Sequence, residues 1–261
     1  MCLVLFAYDP HGECPLVVAA NRDEFYARPA SGAHFWADAP HLLAGRDLSA
    51  GGTWLGVSRR GRFATVTNFA EEGPSDAPHS RGRLPEAFLA GAAPAHDYAH
   101  ALHGLSYRGF NLLLWDGQAL VYTSNRGHTQ DLEPGVYGLA NAELGARWPK
   151  VVSGSAALAD VIAAGADPEA LIALLADRSV PPDEVLPRRG RPLELERRVA
   201  PCFIVGEEYG TRASTALVIR RSSGGRRGDG RGSIHFIEQA YGAGGVPGDR
   251  VEIRTELDPG A

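Results

Sequence analysis

The first 21 residues contain two short apolar stretches separated by a turn. The stretches cover residues 2–8 and 15–21, and Pro10 and Gly12 between them favour a tight backbone turn. The second stretch is apolar on both faces, which is typical of a strand in a sheet that is covered on both sides. The sequence therefore predicts a β-hairpin at the N-terminus, with Cys2 held beside the residues that follow Asn21.

The rest of the chain is strand-rich at both ends and helical in the middle. Two further hairpins and four C-terminal strands are predicted, at 53–59 with 62–68, 110–116 with 118–124, and then 201–206, 213–220, 233–238 and 249–256. Helical patterns cover 84–104, with a break near Gly91 to Pro94, and 154–176, where Gly165 to Asp167 separate two helices. Asp167 caps the second of these and Pro168 takes its first position. Hairpin-paired strands with grouped helices indicate an α+β fold with antiparallel sheets, not a doubly wound nucleotide-binding fold.

Length and charge narrow the class of protein. With 261 residues, of which 44% are hydrophobic, we expect residues 1–261 to form a single domain. No apolar run approaches the roughly 18–20 residues of a membrane span, and no secretory signal is recognised, so we expect a cytoplasmic protein. The net charge of −5 argues against a nucleic-acid partner.

The basic residues and the cysteines support two further expectations. Lys150 is the only lysine among 26 basic residues, and the chain is rich in alanine, a composition typical of a high-GC bacterial genome. We therefore expect a bacterial protein. Cys2, Cys14 and Cys202 are too few and too scattered for a disulfide scaffold or a structural zinc site, so we expect no metal.

Cys2 is the first candidate catalytic residue. Removal of Met1 would leave a thiol and a free α-amine on one residue, with reference pKa values of about 8.5 and about 7.7–8.0. An amine that titrates near neutrality can take the thiol proton, as in catalysis by N-terminal threonine. The alternative is that Cys2 is merely a small apolar residue that opens a strand.

Four polar residues, Asn21-Arg22-Asp23-Glu24, end the second apolar strand. Because side chains alternate along a strand, Arg22 and Glu24 share one face, and Asn21 and Asp23 share the other. An arginine beside a terminal thiol favours the thiolate, and a carboxylate can orient the α-ammonium group. The alternative is an ion-pair cluster that only satisfies the end of the sheet.

Two asparagines and an arginine stand at predicted strand ends. Asn68 ends ATVTN and Asn141 ends YGLAN, and an asparagine NH₂ group can donate to the oxyanion of a tetrahedral intermediate. Arg212, in YGTRAST, offers a planar fork to a carboxylate. Asparagine is also common at turns and arginine at hairpin ends, so structural roles remain the alternatives.

Six segments together carry a resemblance to a known family, in order and spacing: NRDEFYARP (21–29), GGTWLG (51–56), TNF (67–69), RGFNLL (108–113), YGLANAELGARWPK (137–150) and YGTRASTALVI (209–219). The chain resembles the NRDE family of transport-and-Golgi-organisation proteins over nearly its whole length. That family is similar to the N-terminal-nucleophile hydrolases, such as choloylglycine hydrolase and penicillin V acylase. The resemblance implies a four-layer αββα sandwich of two antiparallel sheets.

The resemblance also implies a set of site residues. By position, Cys2 matches the nucleophile of those hydrolases. We assign as catalytic Cys2, Arg22, Asp23, Asn68, Asn141 and Arg212, and as substrate-binding Asn21, Glu24, Trp54 and Phe69. In the hydrolases two residues separate the arginine from the aspartate, whereas Arg22 and Asp23 are adjacent. A bulge must therefore intervene, or Glu24 must replace the aspartate.

Two functions follow from these expectations. The first is an N-terminal-cysteine amidohydrolase or acyltransferase that acts on a small N-acyl or amide compound without a cofactor. The alternative is a non-catalytic protein of the same fold that binds and carries haem, acyl-coenzyme A or lipid. His96, His100 and His103 share one helix face by spacing and could hold haem iron, although a solvated helix face is the preferred interpretation.

Overall fold

Two antiparallel β-sheets lie face to face in this computed structural model, which describes residues 2–71, 77–102, 107–222 and 232–258. The strands are β1 (Cys2–Tyr8), β2 (Leu16–Phe25), β3 (Ala30–Trp36), β4 (Ala39–Asp47), β5 (Leu55–Ser58), β6 (Phe63–Asn68), β7 (Phe110–Trp115), β8 (Leu120–Ser124), β9 (Gln130–Asp131), β10 (Gly135–Leu139), β11 (Tyr209–Arg221), β12 (Gly232–Tyr241) and β13 (Pro247–Glu256). The α-helices are α1 (Arg83–Ala90), α2 (Ala95–Ala101), α3 (Pro149–Ala163), α4 (Pro168–Leu175) and α5 (Leu193–Val199).

The first sheet contains the N-terminal hairpin. Its strand order is β10-β1-β2-β11-β12-β13, so both hairpin strands are internal, and β1 pairs with β2 in a register that sets Cys2 opposite Arg22. The sequence correctly predicted this hairpin, but β2 continues four residues beyond Asn21. The whole Asn21–Glu24 motif therefore lies inside a strand, with β11 along one side and β1 along the other as far as Arg22.

The second sheet is built from consecutive strands in the order β3-β4-β5-β6-β7-β8-β9. Each strand pairs with the next in the chain, which is the simplest antiparallel topology. The hairpins predicted at 53–68 and 110–124 form β5–β6 and β7–β8. Strands β3 and β4 were not predicted, because their sequences mix glycine, proline and charged residues with the apolar ones.

Alternation along β1 and β2 divides the core into layers. Val4, Phe6 and Val18 face the second sheet and pack there with Phe63 and Leu113. The intervening side chains of β1 and β2 face the opposite way, toward helices α3 and α4. Apolar side chains on both faces of the hairpin are thus buried, as the sequence predicted for a sheet covered on both sides.

Helices cover the outer face of each sheet. Leu158 of α3 and Leu171 of α4 pack on the first sheet, and Phe88 of α1 and Ala99 of α2 pack on the second. Helix α4 begins as expected, with the Asp167 side chain accepting from the Ala170 N–H. The layers are therefore helix, sheet, sheet, helix, which confirms the α+β, four-layer αββα sandwich.

One predicted strand is wrong. Residues 201–206 are largely buried but form no ladder. Their backbone groups are bonded instead by side chains of β2 and β11: Asn21 Nδ2 donates to Cys202 O at 2.8 Å, and Ile204 N donates to Thr211 Oγ1 at 2.9 Å. Because these partners already satisfy the backbone, burial of this apolar segment needs no strand pairing.

No helix in the described parts of the chain is both long enough and apolar enough to cross a membrane. Helix α5, which the sequence did not predict, is a short helix rich in charged residues. It contributes Leu195, Arg198 and Val199 to a surface depression described below.

Candidate active site

Cys2 lies in the wall of a cavity of about 580 Å³ at one end of the two sheets. The cavity wall combines residues of the first sheet, such as Arg22 and Glu238, with residues of the second sheet and its loops, such as Trp54 and Asn68. Cys2 is only 8% exposed. The position of the cavity follows from the topology, because β1, β2 and β11 all present polar residues at this end of the sandwich.

The backbone nitrogen of Cys2 is held by an asparagine from far along the chain. Cys2 N donates to Asn141 Oδ1 at 2.9 Å. Burial raises the pKa of the Cys2 thiol and the charge of Asp23 raises it further, while a hydrogen bond from the Asp23 backbone and the positive charge of Arg22 act in the opposite direction. The nitrogen that would become the α-amine is therefore already oriented, and Arg22 favours the ionised thiol against the effect of burial.

Asn141 does not point as the sequence analysis expected. Its NH₂ group donates to Asn68 O at 2.7 Å, and its carbonyl oxygen, not its NH₂ group, faces Cys2. The Ala70 N–H donates to Asn141 O at 2.9 Å, which fixes the backbone as well. The predicted oxyanion donor therefore acts in this structure as the acceptor that orients the Cys2 nitrogen.

A buried hydrogen-bond network holds the Asn141 turn against the second sheet. Asn111 Nδ2 donates to Ala142 O at 3.0 Å and to Thr67 Oγ1 at 3.2 Å, and Asn111 Oδ1 accepts from Tyr122 OH at 2.7 Å. Thr67 Oγ1 in turn donates to Ala140 O at 2.8 Å. These bonds fix the turn that carries Asn141 and leave Asn111 without access to the cavity.

Arg22 and Asp23 lie on opposite faces of β2. The pairing of β1 with β2 is regular, so Arg22 and Glu24 share the face of Cys2, with Arg22 Nη2 4.0 Å from Glu24 Oε2. Asp23 points toward the helix layer, where its Oδ1 accepts from Thr211 Oγ1 at 2.7 Å. No bulge brings the Asp23 side chain to the face of Arg22, and Glu24 is the carboxylate on that face.

The bulge of this region lies in the neighbouring strand. The register of β11 against β2 shifts between Thr211 and Ala213, which leaves Arg212 as the extra residue. Arg212 Nη1 donates to the carbonyls of Phe25 and Arg28 and lines the cavity. Burial lowers the pKa of Arg212, and the nearby charge of Arg22 lowers it further. The bulge thus directs a guanidinium group toward the mouth of the cavity.

The predicted substrate-binding residues fall into two groups. Glu24 and Trp54 line the cavity of Cys2, and Phe69 lines an adjoining depression of about 440 Å³. Asn68 is exposed and lines both. Asn21 lines neither: it is 0% exposed, and its amide bonds Leu175 O, Cys202 O and Ser214 Oγ. Its assignment as a substrate-binding residue is therefore corrected to that of a buried link between β2 and the helix layer.

Two arginines at the junction of these spaces were not predicted from the sequence. Arg81 and Arg108 line both the cavity and the depression. Arg81 Nη1 donates to Gly109 O at 3.0 Å, and Arg108 Nε lies 3.8 Å from Glu71 Oε2. The only available signal was their position beside glycines, because Arg81 precedes Gly82 and Arg108 precedes Gly109.

Lys150 was also missed as part of the site. The side chain is 4% exposed and its Nζ donates to Val199 O at 3.0 Å and Pro201 O at 3.4 Å. Burial lowers the pKa of Lys150, and the charge of Asp23 opposes that change. Burial raises the pKa of Asp23, and the positive charge of Lys150 lowers it. Lys150 thus stabilises the negative charge of Asp23 on the helix-facing side of β2.

Within the described residues, no three histidine, cysteine, aspartate or glutamate side chains are arranged to hold a metal ion. His96 and His100 lie close together on α2, with their Nε2 atoms 3.1 Å apart, and both are exposed. His103, the third histidine of that predicted face, lies outside the described residues. These positions provide no enclosed pocket for haem near the described part of α2.

Two solved structures share this fold. A mutant of conjugated bile acid hydrolase from Clostridium perfringens aligns with a TM-score of 0.52 and 10% identity, covering 97% of this chain and 92% of that chain. An ortholog of N-acylethanolamine-hydrolyzing acid amidase from Caenorhabditis elegans aligns with a TM-score of 0.51 and 10% identity, covering 83% and 92%. At such low identity the likeness shows the N-terminal-nucleophile hydrolase fold alone.

Curated relatives are much closer in sequence. The Transport and Golgi organization protein 2 homolog of Bos taurus is 34% identical over 267 residues, covering 92% of this chain and 93% of that protein, and the Homo sapiens homolog is 32% identical with the same coverage. The expectation of a bacterial protein is corrected here, since these relatives are mammalian. Residues 1–243 match the family described as Transport and Golgi organisation 2. The chain therefore belongs to the Transport and Golgi organisation 2 family.

Proposed function

We propose that this protein is an N-terminal-cysteine amidohydrolase or acyltransferase that acts on a small N-acyl or amide compound. One observation carries the proposal. Cys2 N lies 2.9 Å from a fixed acceptor, Asn141 Oδ1, while the Cys2 side chain lines a cavity large enough for a small substrate. The fold shared with a bile acid hydrolase and an acid amidase supports the same reaction class.

The first step is removal of Met1 by hydrolysis of the peptide bond before Cys2. This converts Cys2 N into a free α-amine, for which Asn141 Oδ1 remains a hydrogen-bond acceptor. Because the amine donates an N–H to the Asn141 side chain, its lone pair points away from Asn141 and can accept the proton of the thiol on the same residue. The α-amine then serves as the general base without help from a histidine.

Acylation follows from these positions. The α-amine takes the thiol proton, the thiolate attacks the substrate carbonyl carbon, and the C=O π electrons move to oxygen to give a tetrahedral oxyanion. The oxyanion collapses, the C–N bond breaks, and the α-ammonium group gives its proton to the leaving amine. The product on the enzyme is a thioester of Cys2.

Asn68 is the residue best placed to stabilise the oxyanion. Its side chain is exposed to both spaces, and within the described part of the chain no partner occupies its NH₂ group. Loss of one such donor from an acyl-transfer enzyme raises the free energy of the transition state by about 3–4 kcal/mol. Arg22, opposite Cys2 in the sheet, stabilises the thiolate before attack and after deacylation.

Deacylation reverses the roles. Water, or the hydroxyl or amine of an acceptor, gives a proton to the α-amine and attacks the thioester carbon. The C–S bond then breaks, and the thiolate recovers the proton from the α-ammonium group. Hydrolysis and acyl transfer therefore differ only in the nucleophile that reaches the thioester.

The proposal is tested first by intact mass and substitution. We expect the purified protein to lack the mass of Met1 and to form a thioester adduct with a panel of N-acyl substrates. Cys2→Ala should abolish both the adduct and turnover, whereas Cys14→Ser, which changes a half-buried thiol bonded to Arg220 far from the cavity, should retain both. Retention of Met1, or full turnover in Cys2→Ala, contradicts the proposal.

The lysine content of the chain offers a second test. Lys150 is the only lysine and its ammonium group is buried, so an amine-reactive ester added to the folded protein should acylate only the N-terminal amine. One label should abolish turnover, because the general base is then an amide. The denatured protein serves as the control and should take two labels. Turnover that survives stoichiometric labelling of the N-terminus overturns the role of the amine.

A carrier function is the second candidate. The depression beside Asn68 is lined by Phe25, Phe69, Leu195 and Val199, which suit an acyl chain without any chemistry. If the protein is a carrier, wild type and Cys2→Ala should bind a fatty acyl compound equally well and should release it unchanged. For either function we propose the cytosolic location that the sequence predicts. Recovery of the protein in an organelle fraction would contradict this location.

A further inference from the structure

The cavity of Cys2 contains two kinds of arginine. Arg28 and Arg46 are paired with carboxylates, Arg28 Nε with Asp47 at 2.8 Å and Arg46 with both oxygens of Asp38 at 2.9 and 2.8 Å. Their charges are neutralised within the protein. The arginines nearest to Cys2 are bonded differently.

Arg81 and Arg212 direct their hydrogen bonds to backbone carbonyls. Arg81 donates to Gly109 O, and Arg212 donates to the carbonyls of Phe25 and Arg28. Within the described ranges, no carboxylate lies within 4.0 Å of either guanidinium group. Carbonyl oxygens orient a guanidinium group but do not cancel its charge, so both arginines keep donors and positive charge available to the cavity.

Each of these two arginines has another arginine nearby. Burial lowers the pKa of both groups, and Arg108 lowers that of Arg81 and Arg22 that of Arg212 further, while the charge of Glu24 acts on both in the opposite direction. Glu24 faces this group, but its distance of 4.0 Å from Arg22 is longer than a hydrogen bond. Each of the two guanidinium groups is therefore repelled by a neighbouring arginine, and an anion bound beside it relieves that repulsion.

The backbone around Arg81 is built to hold it there. Gly52 has φ +72°, and a Cβ at this position would overlap the Gly82 carbonyl, which accepts from Thr53 N at 3.0 Å. The glycines of the GGTW segment thus let the chain at Arg81–Arg83 pack directly on the loop before β5. This gives the GGTW motif a role that the proposed reaction does not use: it positions Arg81.

We propose that Arg81 and Arg212 bind an anionic group of the substrate, so that the preferred substrates are amides carrying a carboxylate or a phosphate close to the bond that is cleaved. This substrate class rests on the proposed function of Cys2. Cys2, Arg81 and Arg212 line the same cavity. An anionic group held by these arginines therefore shares that cavity with the amide that the Cys2 sulfur attacks.

The test uses two pairs of substrates with one acyl chain. N-butyrylglycine is compared with neutral N-butyrylglycinamide, and N-butyryl-O-phosphoethanolamine with neutral N-butyrylethanolamine. We expect kcat/KM to favour the anionic member of at least one pair by about tenfold or more, the effect of one charge-assisted hydrogen-bond site. The pair that shows the preference identifies carboxylate or phosphate as the recognised group. Turnover of both members of each pair with equal kcat/KM overturns the inference.

Single substitutions distinguish anion binding at Arg81 and Arg212 from a general effect of the positive charge in the cavity. Arg81→Gln and Arg212→Gln should each reduce the ratio of anionic to neutral kcat/KM by about tenfold. Arg46→Gln removes the same charge from the same cavity, but from an arginine already paired with Asp38, and should leave the ratio as in wild type. Equal losses in all three variants contradict a specific anion site.

Binding to Cys2→Ala distinguishes failure of this inference from failure of the proposed function. Calorimetry with N-butyrylglycine and its glycinamide should show tighter binding of the anion, lost in Cys2→Ala combined with Arg81→Gln. If wild type turns over neither pair but this selective binding persists, the proposed reaction is wrong and the anion site stands. If turnover occurs without selective binding, the reaction stands and the anion site is wrong.

Discussion

At the scale of single residues, chemistry is decided by what surrounds each ionisable group. Burial raises the pKa of the Cys2 thiol, and Arg22 together with the Asp23 backbone opposes that change. Burial also raises the pKa of the Cys202 thiol, to about 11, and there the charge of Lys150 acts in the opposite direction. The two thiols are therefore opposed by different neighbouring groups, Arg22 for Cys2 and Lys150 for Cys202.

The charge of Arg22 predicts a change in the pH dependence of Cys2. A positive charge favours the thiolate, so Arg22→Gln should move the rise in Cys2 alkylation to higher pH. Alkylation by iodoacetamide, followed at several pH values by mass spectrometry of the Cys2 peptide, measures this. Arg46→Gln should leave the profile in place, and an unchanged profile in Arg22→Gln would remove Arg22 from the thiolate environment.

Glu238 provides a prediction about stability. It is 6% exposed, its Oε1 accepts from Ala33 N at 2.7 Å, and burial raises its pKa. As pH rises above about 4.3, the unfolded chain releases this proton before the folded chain does, so unfolding becomes more favourable. Glu238→Gln lacks this linkage and should gain stability relative to wild type between pH 4 and pH 7.

Urea unfolding of both proteins across this pH range measures the difference. Glu184→Gln is the matched control, because Glu184 is exposed and its substitution should give a difference that does not change with pH. A difference for Glu238→Gln that stays constant from pH 4 to pH 7 would contradict the linkage.

At the scale of elements, local sequence predicted the hairpins β1–β2, β5–β6 and β7–β8 but not what the ends of their strands contact. The prediction of β1 and β2 rested on continuous apolar residues, which the structure explains by burial on both faces. The segment at 201–206 has the same composition, yet Asn21 and Thr211 bond its backbone from elsewhere in the chain. Apolar composition reports burial, and it indicates a strand only when the neighbouring strand is present.

The loop before β5 gives a prediction at this scale. Gly52→Ala introduces a Cβ at positive φ and against the Gly82 carbonyl, so it should displace Arg81, lower stability and weaken any preference for anionic substrates. Gly117→Ala is a matched control: Gly117 has φ +94° with no atom within 4 Å of the added Cβ. The control should cost only about 1–2 kcal/mol of backbone strain and should leave substrate preference unchanged.

Thermal unfolding and the substrate ratio are measured together on both variants. Equal stabilities and equal substrate ratios for Gly52→Ala and Gly117→Ala would show that the contact with Gly82 does not position Arg81.

At the scale of the whole molecule, three apolar layers hold the four-layer sandwich together. The inter-sheet layer contains Leu217, the layer under α3 contains Leu158, and the layer under α1 contains Phe88. If residues 1–261 form a single domain, as the sequence predicts, the three layers should unfold together.

Substitution in each layer tests this prediction. Leu217→Ala, Leu158→Ala and Phe88→Ala should each lower the free energy of unfolding by about 2–5 kcal/mol. Circular dichroism and tryptophan fluorescence should report one coincident transition in every case. Val152→Ala, at a side chain that is 43% exposed, should change stability little. Two separate transitions, with only one shifted by Phe88→Ala, would contradict a single domain.

The sequence by itself determined the N-terminal hairpin, the alternation that buries both faces of β1 and β2, and the presence of a thiol one residue after Met1. These features depend on neighbours a few residues apart, where backbone geometry and apolar periodicity are sufficient. Even the split between Arg22 and Asp23 follows from alternation, since the regular β1–β2 pairing keeps them on opposite faces.

Only the tertiary structure decided which groups meet Cys2. Asn141 lies 139 residues from Cys2, and whether its carbonyl or its NH₂ group faces the cysteine depends on Asn68 and on the network through Asn111. Arg81 enters the cavity because Gly52 permits a close backbone approach from another loop. Such contacts join distant segments through packing and hydrogen-bond satisfaction, and no local pattern in the sequence encodes their orientation.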